Sequence, residues 1–445
     1  MSQFNNKNAS GCTSCQSATV NISTTDAVAI GTSTISSATA NFSAAIVGNI
    51  IHLAGGTGSL ASGWYLVTTF NNSSSIIVDR SVAAGTGISI DIGGALSTLV
   101  QLNTNMSSAQ IAWVQNTGTI SITTSIGINY SSSASNNTST QINGYNSSRG
   151  DNGVVTIRQA SGSSTMVNIT SVGGLTFRNF VIDCNSTNSV AMNIQGTSGQ
   201  NVAQNILVTG GCTNNGITFN NQGHACIRCT VQNLGSGSTT AFLMEQGNGP
   251  NFCIDCLAVS GTGSIGFKGA VFFCIRCIAA NNSGGNSDGF QITTNSGWMF
   301  MCQSCVSYNN GRDGFRFAPS SPIYIENTIA YGNAGVGFND TTGTVPAGGY
   351  TLNWNGFGAN TGGNRTNVSA GANDVTLTAD PFVNGAANNF ALNTTAGGGA
   401  ALRGVGFPGI LANGGTAVGG TGNIDIGALQ AVAVSAGQVG YAIIQ

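Results

Sequence analysis

Two short patterns return in step along the middle of the chain, and they restrict the fold more than anything else in it. Gly followed by Phe occurs at Gly266-Phe267, Gly289-Phe290, Gly314-Phe315 and Gly337-Phe338, with steps of 23, 25 and 23 residues. Gly216-Ile217 is an earlier, weaker member. Upstream of these lies a five-residue block: "ACIRC" (225–229), "FCIDC" (252–256), "FCIRC" (273–277), "MCQSC" (301–305), then "IYIEN" (323–327). Constant blocks at slightly variable steps place the insertions in loops, which is how a repeat architecture reads in sequence.

Each unit holds short runs of strand-formers separated by Gly, Asn and Ser. "DGFQITT" and "DGFRFAP" alternate apolar and polar residues with period two, and no segment carries a helical period. These features predict an all-β, single-stranded parallel β-helix with coils of about 23 residues. Stacked coils lie about 4.8 Å apart, so like stands over like. Phe267, Phe290, Phe315 and Phe338 are expected to form an internal stack.

The pattern divides the chain into a polar arm (1–25), a small β-rich N-terminal module (26–105), the β-helix (106–378), terminal coils or a cap (379–430) and a tail (431–445). Gly, Ser and Asn abound and only 6% of residues are charged, a composition that often means disorder. Here 41% of residues are hydrophobic and recur at fixed offsets, so a packed core is expected. The net charge of −2 and the lack of a basic cluster give no pull toward nucleic acid or an anionic membrane. No run of 18 apolar residues predicts a membrane helix. "MSQFNNKNAS" lacks the charged and apolar regions of a secretory signal, which predicts synthesis in a cytoplasm without export by the usual route. The sequon Asn21-Ile22-Ser23 and the "RGD" at 149–151 are then chance matches.

Four CxxC pairs suggest metal hooks. In the five-residue block, however, positions one (Ala225, Phe252, Phe273, Met301, Ile323) and three (Ile227, Ile254, Ile275, Gln303, Ile325) are mostly apolar and are expected to point inward. Position four (Arg228, Asp255, Arg276, Ser304, Glu326) points out. Position five, Cys229, Cys256, Cys277 and Cys305 followed by Asn327, reads as a ladder of small buried side chains. Position two (Cys226, Cys253, Cys274, Cys302, then Tyr324) falls on the opposite side by strand alternation. A zinc site needs four converging ligands, which this arrangement does not supply, so neither metal nor other cofactor is expected. Stacked Cys on neighbouring coils fall within disulfide range, and the ladder is open to both disulfides and free thiols. Cys12, Cys15, Cys184 and Cys212 lie outside it.

The best catalytic constellation is Asp288 and Asp313, each directly before a Gly-Phe. On stacked coils their carboxylates stand about one rung apart, as in a retaining glycosidase or a Ca²⁺ site. Arg312 and Arg316 are placed to meet an acidic sugar. The competing reading is turn chemistry, in which Asp caps its own backbone before a Gly. His52 and His224 are isolated and read as structural. There is no Ser elbow, and "GGTGS" lacks the Lys of a phosphate loop. Trp298, in "NSGWMFM", interrupts the coil spacing and suits a glycan or subunit contact.

The "Ile-x-Asn … Asn-x-x-x-Gly-Phe" pattern resembles the right-handed parallel β-helix proteins of the pectate-lyase-like kind, and "DPFVNGAANNFAL" with "IDIGALQ" is similar to their bacterial C-terminal coils. "VGNIIHLAGGTGSLASGWYLVTTF" and "INGYNSSRGDNG" resemble β-helix proteins of bacteriophages. The resemblance implies a homotrimeric spike, fibre or capsid decoration on a virion surface, contacting other virion proteins and a host surface glycan. Lyases of this fold use clustered Asp with Ca²⁺ and an Arg base, a cluster that does not map onto this chain. Two alternatives remain: a polysaccharide depolymerase with Asp288 and Asp313 as its acids, and a bacterial cell-surface adhesin.

Overall fold

The computed structural model describes residues 3–7, 20–47, 50–58, 63–93, 99, 111–116, 118–129, 140–146, 150–162, 165–170, 173–187, 190–196, 200–237, 239–244, 249–293, 299–318, 322–345, 349–407 and 425–429. Its contacts form two units, one of residues 1–122, 126–158 and 170–181, the other of residues 123–125, 159–169 and 182–445.

The first unit contains an antiparallel sheet of seven strands between Val20 and Gly93. Period-two alternation puts Ile35, Ile51, Leu53, Val67, Ile76, Ile88 and Ile90 on one face, all fully buried. The sheet begins with Val20–Ala29, earlier than the expected module boundary, because Ile22 packs against this core. The expected polar arm also contains a strand: Gln3–Lys7 lies parallel to Ile111–Gln115. That strand in turn pairs with Thr140–Tyr145.

The second unit is a parallel β-helix with three strands per coil. The first sheet stacks Ala225–Ile227, Asn251–Ile254, Phe272–Ile275, Phe300–Gln303, Ile323–Glu326 and Tyr350–Asn353. The second stacks Thr230–Gln232, Leu257–Val259, Ile278–Ala280, Val306–Tyr308, Ile329–Tyr331 and Gly356–Gly358. The third runs from Val167–Ile169 to Arg365–Thr366. The corner between first and second strands is made by one residue in the left-handed region: Asn205, Arg228, Asp255, Arg276, Ser304, Asn327 and Trp354, all with φ of 52–54° or 55°. A second such file, Asn233, Ser260, Asn281 and Asn309, ends the second strands.

This corner reverses the expected phase of the Cys blocks. Cys226, Cys253, Cys274 and Cys302 are 0% exposed and face inward, and so do Cys229, Cys256, Cys277 and Cys305 beyond the corner. In the four Cys blocks positions one and three, expected inside, lie on the outer side, where Ala225, Phe252, Phe273, Met301, Ile227, Ile254 and Ile275 are half-buried; in the fifth block Ile323 and Ile325 do face in, paired with Phe300 and Cys302. The interior beside a one-residue corner is narrow. It takes thiols on the first sheet and Ala258, Ala279, Ser307 and Ala330 on the second, while the bulky Phe file comes from the third. The inner file continues from Cys302 to Ile325 and Leu352, not to Tyr324. The corner file passes from Cys305 to Thr328, whose hydroxyl accepts from the Cys305 N–H at 3.3 Å, and not to Asn327, which is itself the left-handed corner.

On the third sheet Phe242, Phe267, Phe290 and Phe315 stack nearly parallel with centroids 4.7, 4.9 and 4.5 Å apart, and Phe338 meets Phe315 edge-on at 5.0 Å. Each preceding Gly fits because a side chain would not. A Cβ on Gly289 would lie 2.3 Å from Ser307 Oγ and 2.7 Å from the Gly314 carbonyl oxygen. A buried Asn ladder follows the second strands: Asn282 donates to Asn310 (2.9 Å), Asn310 to Asn333 (3.1 Å) and Asn333 to Asn360 (2.9 Å).

Residues 379–430 are expected to form terminal coils or a cap that closes the helix. Among the described residues they instead turn back along the outside of the second sheet. Phe382–Asn384 and Asn389–Leu392 form an antiparallel pair. Phe382, Phe390, Leu392, Leu402, Ile426 and Ala428 cover Val259, Ile278, Val306, Tyr308 and Ile329. Asn281 donates to the Gly385 carbonyl (3.0 Å) and to Asn388 (2.9 Å), and Tyr308 OH donates to Asp380 (2.9 Å). The outer side of the second sheet is apolar, and burying it drives this return.

Candidate functional site

The third sheet carries the acids singled out in the sequence. Gly266 N–H donates to the Asp288 carbonyl at 3.0 Å and Gly289 N–H to the Asp313 carbonyl at 2.9 Å, so the two residues occupy equivalent places on adjacent coils. Asp288 is fully buried and Asp313 is 3% exposed. Asp288 Oδ1 accepts from Arg312 Nε at 2.6 Å and from the Asp313 N–H at 3.1 Å, and its other oxygen accepts from Arg312 Nη2. Arg312 also donates to Asn286 at 3.0 Å. Asp313 repeats the motif one coil on: Oδ1 accepts from the Val336 N–H at 2.8 Å, and Oδ2 from Asn339 (2.8 Å) and Arg316 (3.4 Å).

Each carboxylate therefore ties its coil to the next through a backbone N–H. Burial pushes the Asp288 carboxyl above its ordinary range, while the hydrogen bonds from Arg312 oppose that shift. Asp288 in turn raises the Arg312 guanidinium. Both lone-pair-rich oxygens of each acid are engaged within the protein, so neither acid presents a free oxygen to an outside substrate. The turn-chemistry reading of the sequence accounts for the Asp-Gly steps, with the addition that the caps reach across coils.

Other acids are engaged in the same way. Asp340 accepts from Tyr350 OH (2.6 Å), Asp374 from Arg365 (2.6 Å) and Glu326 from Tyr324 OH. Among the described residues no group of three or more His, Cys, Asp or Glu is placed to hold a metal ion.

The outer side of this sheet presents one file, Leu243–Lys268–Gln291–Arg316–Asn339, in register across five coils. Lys268 and Arg316 flank Gln291, whose Oε1 is buried with no hydrogen-bond partner. Sequence reading found Arg316 but not Lys268 or Gln291; the signal was their shared place, one residue after each Phe. Trp298, Cys12 and Cys15 lie outside the described residues.

The Cys files offer no open coordination site. Cys229, Cys256, Cys277 and Cys305 donate to carbonyls of the preceding coil: Ala203 (3.4 Å), Cys226 (3.5 Å), Cys253 (3.1 Å) and Cys274 (3.5 Å). Burial pushes the thiols of Cys226, Cys253, Cys274 and Cys302 well up. These eight are free thiols, whereas Cys184 and Cys212 form a disulfide between adjacent coils, with Cα atoms 5.1 Å apart. His224 is fully buried; its Nδ1 accepts from the Asn201 N–H at 3.3 Å and its Nε2 has no partner. Burial pulls it down from 6.5 to about 4.

No protein-family model matches the chain, and no curated protein matches it in sequence. Solved structures do match in shape. The pectate lyase Pel9A aligns over 75% of this chain and 91% of its own, with a TM-score of 0.55 at 15% identity. A GH87 alpha-1,3-glucanase catalytic domain aligns over 80% of this chain and 89% of its own, at a TM-score of 0.28 and 11% identity. The ORF18 protein of Geobacillus virus E2 aligns over 61% and 53%, at 0.30 and 11%. Only the first score is high enough to bear on architecture, and at that identity it speaks for the fold alone. Together with the stacked registers, it shows that the second unit has the fold of that protein, a right-handed parallel β-helix.

Proposed function

We propose that this chain is a non-enzymatic structural protein of a phage particle surface, a spike, fibre or capsid decoration that assembles as a homotrimer, contacts other virion proteins and meets a host glycan. One observation carries the non-enzymatic part: Asp288 and Asp313, the best acids in the sequence, are buried and bound to Arg312, Asn339 and backbone N–H groups of the next coil. The phage assignment is supported by the resemblance of the N-terminal stretch and of "INGYNSSRGDNG" to phage β-helix proteins. Lys268, Gln291 and Arg316 supply the kind of cationic and amide groups that hold a sugar acid, and they are the glycan contact in this reading.

A second reading, a polysaccharide depolymerase, is favoured by that same outer file on a fold shared with a pectate lyase. Release of reducing ends and of unsaturated uronate from host capsule separates the two. The structural reading predicts no turnover by the wild type, and binding that weakens in Arg316→Gln. Turnover by the wild type that disappears in Asp313→Asn, with melting unchanged, establishes the enzyme instead. Labelled antibody on intact particles tests the location, and particles that carry no label refute it.

A further inference from the structure

We infer that the strand Gln3–Lys7 is a guard on an open sheet edge: it occupies one edge of Ile111–Gln115 and keeps that edge from pairing with a second copy of this chain. This goes beyond the reading above and rests on no part of it. Parallel strands stacked edge to edge leave unpaired backbone groups on the last strand of the stack. Thr140–Tyr145 pairs with Ile111–Gln115 along one edge, in register from Gln141 opposite Ile111 to Tyr145 opposite Gln115. Gln3–Lys7 is in register with the same five residues, Gln3 opposite Ile111 and Lys7 opposite Gln115, so it takes the other edge. Without it, that edge has no partner from Thr140–Tyr145, which is already on the far side.

The two strands differ in what they offer a foreign strand. Ile111–Gln115 reads "IAWVQ", with four apolar residues and no charge, Gly or Pro. That composition pairs readily with another chain when its edge is bare. Ala112 and Val114 are fully buried, which anchors the strand and holds its edge in place. Gln3–Lys7 reads "QFNNK", in which Phe4 is the only apolar residue. Lys7 is one of only two Lys in the chain. Asn is depleted in strands, and Lys is the residue that most often blunts an edge. The pairing therefore covers a sequence that invites association with one that discourages it. A strand this short makes few backbone bonds, and each of its residues must be ordered to make them. The guard accordingly opens more readily than the strand it covers.

Hydrogen exchange and sedimentation of the purified full chain test this, in the wild type and in the double variant Phe4→Pro, Asn5→Pro. Neighbouring residues of a strand point their N–H groups to opposite sides, so one of the two prolines removes a donor from the Ile111–Gln115 side. In the variant the amides of Ile111–Gln115 that face the guard are expected to exchange about tenfold faster or more. On concentration the variant is expected to form assemblies larger than those of the wild type. A photo-crosslinking residue at Trp113, which lies opposite Asn5, gives a second readout. It should capture residues 3–7 of its own chain in the wild type and another copy in the variant. Unchanged exchange at Ile111–Gln115, faster exchange with wild-type association at every concentration, or crosslinks that stay within one chain in the variant each overturn the guard. So does a variant that loses its sheet signal in circular dichroism, because the strand is then needed for folding itself. None of these outcomes bears on turnover, glycan binding or particle location, so the two readings fail separately.

Discussion

His224 shows how a single buried side chain sets a pH dependence. Above pH 6.5 it is neutral in both folded and unfolded chains and stability is at its full value. Below that the unfolded chain takes up a proton that the folded site refuses until about pH 4. Stability is therefore expected to fall between pH 6.5 and 4, by about 3 kcal/mol in total. Urea melts across this window should show that slope in the wild type and lose it in His224→Asn, compared with the same melts at pH 8. The acids of the third sheet act at the same scale. Their adjacency was legible from Asp-Gly-Phe repeating at coil spacing. Their engagement was not, because Arg312 reaches back to Asp288 on the preceding coil and Val336 lends a backbone N–H that leaves no trace in side-chain identity.

At the scale of the element, the Gly-Phe step is a packing device. The Phe file fills the interior from the third sheet, and the Gly before each Phe lets the small residues of the second sheet come close. Gly289→Ala is expected to cost about 1–3 kcal/mol by overpacking, because its new Cβ meets Ser307 and a backbone oxygen. Gly285→Ala, with nothing within 4 Å, is expected to be neutral. A shift in urea midpoint at constant slope for the first variant alone checks this. Strand existence was readable because alternation repeats. The side each strand shows to the interior was not: Phe252, Ile254, Phe273 and Ile275 are as apolar as the residues that point in, so hydrophobicity could not set the phase. The deciding feature is backbone conformation, a left-handed corner that Asn205, Asp255 and Asn327 suit but Arg228 and Arg276 do not announce. The Asn ladder did have a signal, since Asn282, Asn310, Asn333 and Asn360 each follow Cys277, Cys305, Thr328 and Asn355 by five positions.

At the scale of the molecule, the β-helix was legible because its coil repeats often enough to show a period. The return of residues 379–407 and 425–429 was not legible, because it happens once and no repeat marks it. The outer sides of the sheets differ: the second is covered by the chain itself, and the third carries Lys268, Gln291 and Arg316. The claim beneath all of this is that Cys274 faces in while Phe273 faces out. Thiol-reactive labelling with peptide mapping decides it. The account predicts that Phe273→Cys labels promptly in the native protein while Cys274 reacts only after denaturation. Prompt labelling of native Cys274, with Phe273→Cys protected, would contradict it.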